Sequence, residues 1–537
     1  MIKKIFSSQN NTITGAALVL GTASFASRLI GLFRDRIFAN QFGAGDALDA
    51  YFAAFRVPDL IYNLVIVGAL SAGFIPIFMK LLAKEKNGAW RLTNNVINIL
   101  GLSLIIFCAI LFIFTPQLMP YIVPGFAGEK LRTTIVLTRI MFLSPVLLGL
   151  SSIVSGVLQS MKSFLIYALT PIMYNLGIII GAIFFVPLFG LNGLAYGVIL
   201  GAFLHLAIQL PALFQHGFRY QPMFQVKDPN VIEIGRLMIP RTMGLAAAQF
   251  NFLIITILAS TLAGGSLAIF NLANNLQYFP VGIIGFSFAI AAFPTLSKLI
   301  AENKQEEMIS HLSKVVRQIL FFIIPITIIM LLLRSQIVRV VFGSGRFDWN
   351  DTIQTGNALA FFCLSLFAQC LIPLLTRSFF ALQDTWTPFK IAFVSALINI
   401  ILSLTLKDVY GVVGLALAFS IAMVIQLALL WITLRQKTKT LNELSILHTL
   451  FKISIAAIAM ALVIQFLKTP LAGIVDMTRF WGILTQGFTA GLVGLLVYAG
   501  ICLGLKVEEV FELKESIKKK WLKLTDIQGE INEANDV

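Results

Sequence analysis

About fourteen hydrophobic stretches, each long enough to cross a bilayer as a helix, run from Ile13 to Leu505. A hydrocarbon core about 30 Å thick takes roughly 20 apolar residues in helical form. Backbone polar groups inside it must be satisfied within the chain, and runs of this length do so as helices. The chain is therefore expected to be an all-α polytopic membrane protein that moves something across, or within, the membrane. Of its 537 residues, 58% are hydrophobic and 12% charged, against about 25% charged in a soluble domain. The net charge of +15 does not point to nucleic acid, because Lys and Arg sit mostly in loops, where they set orientation. The cysteines (Cys108, Cys363, Cys370, Cys502) and histidines (His205, His216, His311, His448) show neither metal spacing nor a disulfide framework. No metal or other cofactor is expected.

The spans are placed near 13–38, 48–79, 93–116, 134–160, 165–187, 190–214, 231–262, 266–298, 312–334, 354–382, 386–406, 410–434, 448–468 and 480–505. The short start, 1–12, carries Lys3 and Lys4 and leads into a run without a convincing cleavage site, so the first helix is read as retained. With that start inside, inner segments hold most of the Lys and Arg. The positive-inside rule then gives an N-in, C-in, multi-pass protein, with a charged cytoplasmic tail over 506–537.

The chain also repeats itself, with an offset near 218 residues. Phe74-Ile-Pro76 through Lys80 and Ala83 resembles Phe293-Pro294 through Lys298 and Ala301. Thr170-Pro171 falls on Thr387-Pro388, and Gly190-Leu-Asn-Gly193-Leu-Ala195 resembles Gly411-Val-Val-Gly414-Leu-Ala416. Six helices per unit is an even number, so the second unit enters in the same orientation, as in parallel-repeat transporters. This predicts two parallel six-helix lobes, 13–214 and 231–434, with two helices over 448–505 outside the repeat. Facing lobes of this kind place a substrate cavity near the midplane. Gly193, Gly197 and Gly201 read as plain helix-packing positions.

Charges inside the membrane need a reason, because one near the centre costs about 2.5–3.5 kcal/mol on insertion scales. Arg28 and Asp35 are seven residues apart on one helix face, with Gly31 between them. Asp49, Arg56 and Asp59 share a face of the second span. One reading is a hydrated, net-cationic pocket for an anionic head group. The other is a set of Arg–Asp pairs that lock helices together, or arginines that snorkel to the surface. No Walker A motif is present, Gly343-Ser-Gly345-Arg346 is too short for a phosphate cradle, and Asp348 and Asp351 read as a solvated loop. No enzyme activity is expected.

The block Ser27-Arg-Leu-Ile-Gly-Leu-Phe-Arg-Asp35, with Phe42-Gly43-Ala44, Asp49-Ala50, Phe55-Arg56-Val-Pro58 and Gly73-Phe74-Ile75-Pro76, resembles the lipid II flippase family, MurJ or MviN. So do Phe279-Pro280 with Gly285, Pro294-Thr-Leu-Ser297 and the run from Phe379 through Asp384 to Thr387-Pro388. The resemblance covers about residues 14 to 505. It implies the multidrug/oligosaccharidyl-lipid/polysaccharide exporter fold, fourteen helices as 6+6+2, and flipping of lipid-linked peptidoglycan precursor between leaflets. Cavity cations would take the diphosphate, and a groove at the last two helices the polyprenyl tail. Carried onto this sequence, the matching positions are Ser27, Arg28, Gly31, Arg34, Asp35 and Asp49, and Arg56 falls where the family has a basic residue. The chain departs where the family has charges: Tyr62-Asn63, Val67 and Asn275 are neutral. Arg241 is a candidate replacement cation.

Some members are sodium-coupled through an acidic residue. Here Asn251, Asn399 and Ser403 offer neutral oxygens only, so Na+ or membrane-potential coupling stays open. The expected partners are an anionic lipid-linked glycan, membrane lipids and cell-wall synthesis proteins, with the chain a monomer and no nucleic acid bound. A cation-coupled exporter of another lipid-linked glycan or a small amphiphile, and a membrane scaffold for cell-wall assembly, are the alternatives.

Overall fold

The computed structural model describes residues 13–67, 73–512 and 514–515, with side chains described from residue 20 onward except at 65–67, 239–241 and 243–248. The expected N-terminal segment 1–12 and the tail beyond 515 lie outside the described residues. Helices joined by short turns account for the described chain. Nine described helices are long and apolar enough to cross a membrane, and the bent pair Trp349–Cys363 and Leu366–Ala381 makes a tenth at a 45° angle. The segment Trp386–Thr438 is two helices that meet at the non-helical Gly411, and the expected spans 386–406 and 410–434 fall on them. The expected spans 13–38, 48–79 and 231–262 fall on helix Ile13–Phe42, on the series Asp46–Ala54, Arg56–Ile61 and Ile75–Lys84, and on helix Pro229–Ser260.

Proline explains two of the interruptions. Pro58 lacks the N–H that would reach back to Ala54, and the chain breaks at Phe55 before a π-helical turn, Tyr62–Val67. Pro280 likewise closes helix Ser266–Pro280 and is followed by the π-helical turn Val281–Gly285.

The local geometry repeats along with the sequence. Gly190 (φ 59°, ψ −147°) and Gly411 (φ 59°, ψ −137°) share a conformation open mainly to glycine. A Cβ on Gly193 would strike the backbone of Phe185 and Val186, and one on Gly414 the backbone of Leu406 and Lys407, seven and eight residues back in each case. Both motifs build the same tight helical hairpin. The turns after helices Leu143–Ser160 and Leu366–Ala381 also match. Ser163 N–H donates to Leu158 O and Asp384 N–H to Phe379 O, each at 2.9 Å, around the left-handed residues Lys162 and Gln383.

Packing divides the chain into two compact units. One holds Met1–Leu276, Val341–Ala358 and Ala392–Phe419; the other holds Gln277–Val340, Leu359–Ile391 and Ser420–Val537. In the first, an aromatic chain Phe74, Phe78, Trp90 and Phe218 runs through a buried cluster with centroid spacings of 5.6, 5.9 and 5.7 Å. Beside it, Asn94, Asn95 and Asn98 of helix Lys86–Ile122 hold an extended strap over 219–225. Asn94 Nδ2 donates to Arg219 O at 3.0 Å, Asn95 Nδ2 to Gln225 O at 2.9 Å and Asn98 Nδ2 to Met223 O at 2.9 Å. In the second unit, Gln336 Nε2 donates to Gln486 Oε1 at 2.9 Å, and Tyr498 OH to Phe321 O at 2.9 Å. These bonds tie the last helix, Phe480–Gly504, to helices Gln305–Leu332 and Arg334–Phe342.

Glycines at four-residue spacing bring two membrane helices into backbone contact. A Cβ on Gly181 would lie 2.3 Å from Gly197 Cα, and one on Gly177 2.2 Å from Gly201 N. Gly197→Val is expected to destabilise the fold by about 3 kcal/mol or more. Gly473→Ala, with nothing within 4 Å of the added carbon, should change it by less than about 0.5 kcal/mol. Thermal unfolding of the detergent-solubilised variants checks this, and equal stability of the two would contradict the packing described.

Candidate functional site

A charged seam runs through the first unit. Helix Ile13–Phe42 carries Ser27, Arg28, Arg34 and Asp35, the first three half-buried and Asp35 only 1% exposed. Arg34 folds onto its neighbour: Nε and Nη2 donate to Asp35 Oδ1 at 3.0 and 2.7 Å. Its Nη1 donates to Asn175 Oδ1 at 3.1 Å. A Cβ on Gly31 would lie 3.9 Å from that same Asn175 oxygen, so the Arg28–Gly31–Asp35 face turns toward helix Phe164–Ile180. The second oxygen of Asp35 accepts from Asn275 Nδ2 at 2.9 Å. Asn275, neutral where the resemblance implies arginine, thus answers an aspartate.

One turn earlier on helix Ser266–Pro280, Asn271 answers a cation. Arg56 Nη2 donates to Asn271 Oδ1 at 2.7 Å. The guanidinium lies 5.9 Å from the centre of the Phe252 ring, and its Nε is buried with no hydrogen-bond partner among the described residues. Asp59 follows Arg56 by one helical turn on the same face. Tyr62, at the head of the π-helical turn, pairs with Ser152.

Asp49 has a different setting. At 2% exposure, its Oδ2 accepts from Gly265 N at 2.7 Å and its Oδ1 from Ala268 N at 2.8 Å. It therefore caps the start of helix Ser266–Pro280, where free N–H groups and the helix dipole favour a carboxylate. Lys130 Nζ bridges Asp49 Oδ2 and Asp46 Oδ1 at 2.7 and 2.6 Å. Both oxygens of Asp49 are thus held by the protein. Asp351 docks similarly, accepting from Ala44 N at 3.0 Å, and is no loose loop residue.

Arg241 lies in helix Pro229–Ser260, and its side chain, like that of Val67, is outside the described residues. Arg139 donates to Phe112 O at 3.1 Å and sits over the Phe112 ring, as a snorkelling side chain does. Asn175, Asn271 and Lys130 were not singled out from the sequence. Asn271 stands in the polar run Asn271-Leu-Ala-Asn274-Asn275, whose four-residue spacing puts two amides on one face.

The neutral cluster weighed for sodium is hydrogen-bonded within itself. Asn399 Nδ2 donates to Asn251 Oδ1 at 2.9 Å, and Ser403 Oγ donates to Asn399 Oδ1 at 3.3 Å. Asn399 and Ser403 are fully buried. Both amide oxygens of this network therefore already accept from a neighbour. Among the described residues, no group of three or more His, Cys, Asp and Glu side chains could hold a metal.

A profile of the family described as Lipid II flippase MurJ matches residues 38–481. A probable lipid II flippase MurJ of Rickettsia prowazekii is 29% identical over 464 residues, covering 85% of this chain and 90% of that protein. The lipid II flippase MurJ of Burkholderia cenocepacia is 27% identical, covering 79% and 84%. A solved structure of lipid II flippase MurJ in an inward closed conformation superposes with a TM-score of 0.76 at 26% identity, covering 90% of this chain and 98% of that one. The inward-facing structure of a MATE-family multidrug transporter of the MOP superfamily, at 17% identity and a TM-score of 0.67 over 78% and 96%, shares the fold. The helical breaks, the aspartate-capped helix and the arginines of the first span are therefore those of a member of the MurJ lipid II flippase family, to which this chain belongs.

Proposed function

We propose that the chain is a flippase that carries lipid II from the inner to the outer leaflet of the bacterial plasma membrane by alternating access. The observation that supports this beyond kinship is Arg56: a guanidinium held by Asn271 inside a membrane helix series, with a buried Nε that has no hydrogen-bond partner among the described residues. A phosphate oxygen is the acceptor such a planar donor fits best. Over residues 28–59 four arginines (Arg28, Arg34, Arg36, Arg56) stand with four aspartates (Asp35, Asp46, Asp49, Asp59), and Lys130, which bridges Asp46 and Asp49, tips the balance to one net positive charge toward a diphosphate. Fourteen crossings, N-in and C-in, would form two parallel lobes over 13–214 and 231–434. The two helices over 448–505 would sit beside them and take the polyprenyl tail. Flipping breaks no covalent bond, so the reading assigns no catalytic residue and no cofactor. It assigns a monomer that receives its substrate from cell-wall synthesis proteins.

The coupling we assign is the membrane potential. An anion of about two charges moving outward runs with an inside-negative potential and gains roughly 2.3 kcal/mol per charge for each 100 mV. The closed Asn251–Asn399–Ser403 network supports this choice over sodium. Among the described residues, Asp35, Asp49 and Glu509 are the buried carboxylates. The first two are held by neighbours in the first unit, which disfavours a cation-coupled exporter.

Arg28→Ala and Arg56→Ala should each abolish growth of a strain depleted of its own lipid II flippase, with membrane abundance nearly unchanged. Arg28→Lys should impair growth, because the ammonium is strongly hydrated and lacks the fork. Asn275→Ala should be milder, since Asp35 keeps its pair with Arg34. Growth beside an immunoblot of membranes reads both effects. Normal growth of the Arg28→Ala and Arg56→Ala strains would overturn the cationic site, and lost abundance would make these residues structural.

Flipping in proteoliposomes should persist when Na+ is replaced by K+ and fall when the potential is collapsed with an ionophore. A strict requirement for Na+ would contradict the coupling proposed.

A further inference from the structure

Two cations of the second unit stand where membrane helices end. Arg334 Nη1 donates to Leu331 O at 3.1 Å. Lys468 Nζ donates to Leu332 O, also at 3.1 Å. They stand on adjacent carbonyls at the end of helix Gln305–Leu332. Lys468 is fixed from behind: Gln486 Nε2 donates to its carbonyl at 2.7 Å and receives Gln336 Nε2 on its own oxygen at 2.9 Å. Its remaining side-chain contact is Gln465 Oε1, at 3.5 Å.

Neither cation meets a carboxylate within 4.0 Å among the described residues. In the same unit, Lys314, Arg317, Arg435, Lys437 and Arg479 each do. Capping two carbonyls accounts for one N–H on each side chain. Lysine has three donors and arginine five, and the rest on these half-buried residues are not enclosed. On the N-in orientation proposed above, both sit at the outer face, where the positive-inside rule disfavours Lys and Arg. Two like charges held together there call for an anion. Helix Glu443–Ile474 exposes Leu462 and Phe466 within two turns of Lys468, apolar side chains further round the same helix.

We propose that Arg334 and Lys468 bind the phosphate of an anionic glycerophospholipid of the outer leaflet, with its acyl chains along helix Glu443–Ile474. The phosphate takes a charge-assisted bond from each side chain and offsets their repulsion. The outer-leaflet part of the proposal rests on the orientation reading; the binding part does not.

The test is native mass spectrometry of the purified full chain in detergent, with phosphatidylglycerol, phosphatidylcholine or a polyprenyl diphosphate added. Wild type should retain phosphatidylglycerol over phosphatidylcholine, and phosphatidylglycerol alone of those two should raise its melting temperature. Arg334→Gln with Lys468→Gln should lose phosphatidylglycerol binding roughly tenfold or more, while Lys468→Arg keeps it. Absence of a phosphatidylglycerol preference in wild type overturns the proposal even if the double variant fails to fold. So does a double variant that loses only polyprenyl diphosphate, which would assign the pair to the transported lipid. Binding in detergent is blind to orientation and to flipping, so failure here leaves the proposed function standing.

Discussion

Helix Ser266–Pro280 is the element on which the charged seam of the first unit depends. Its first N–H groups are taken by Asp49, its Asn271 accepts from Arg56, and its Asn275 donates to Asp35. An ionised side chain taken out of water carries a penalty of several kcal/mol unless its hydrogen bonds are replaced. A helix N-terminus replaces them for a carboxylate. An amide replaces them for either sign, because it carries both a donor and an acceptor. Two asparagines one turn apart therefore hold an arginine and an aspartate with one residue type, and a shift of this helix disturbs all three contacts together.

The same contacts give physical sense to the neutral positions. An arginine in place of Asn275 would set a second cation against Asp35, which Arg34 already pairs at 2.7 Å. With asparagine, Asp35 is balanced once, and Arg34 is largely neutralised. On the proposed reading the cationic role passes to Arg28 and to Arg56, the latter with part of its guanidinium uncommitted. Asp49 and Lys130 form a separate, self-satisfied group, so on that reading buried charge in this family member would serve both as scaffold and as ligand.

Much of this was legible in the sequence. Apolar runs of bilayer length located the helices because hydrocarbon tolerates little else, and Gly190 with Gly411 marked a repeat whose two copies share one glycine-dependent conformation. The arginines stood out because charge is rare among apolar residues. What stayed hidden depends on partners far along the chain. Nothing near Asp49 announces that it caps a helix starting more than two hundred residues later. Asn94, Asn95 and Asn98 look like ordinary polar residues at a helix start until the strap over 219–225 lies against them.

The central claim is that Arg56, positioned by Asn271, holds the diphosphate of the transported lipid. Its most direct test is the affinity of the purified full chain for lipid II in detergent, wild type against Arg56→Gln, with thermal unfolding measured on the same samples. Loss of a hydrogen bond to a charged group is worth about 1.5–3 kcal/mol, so binding should weaken by roughly tenfold or more at unchanged stability. Equal affinity of the two proteins would contradict the account.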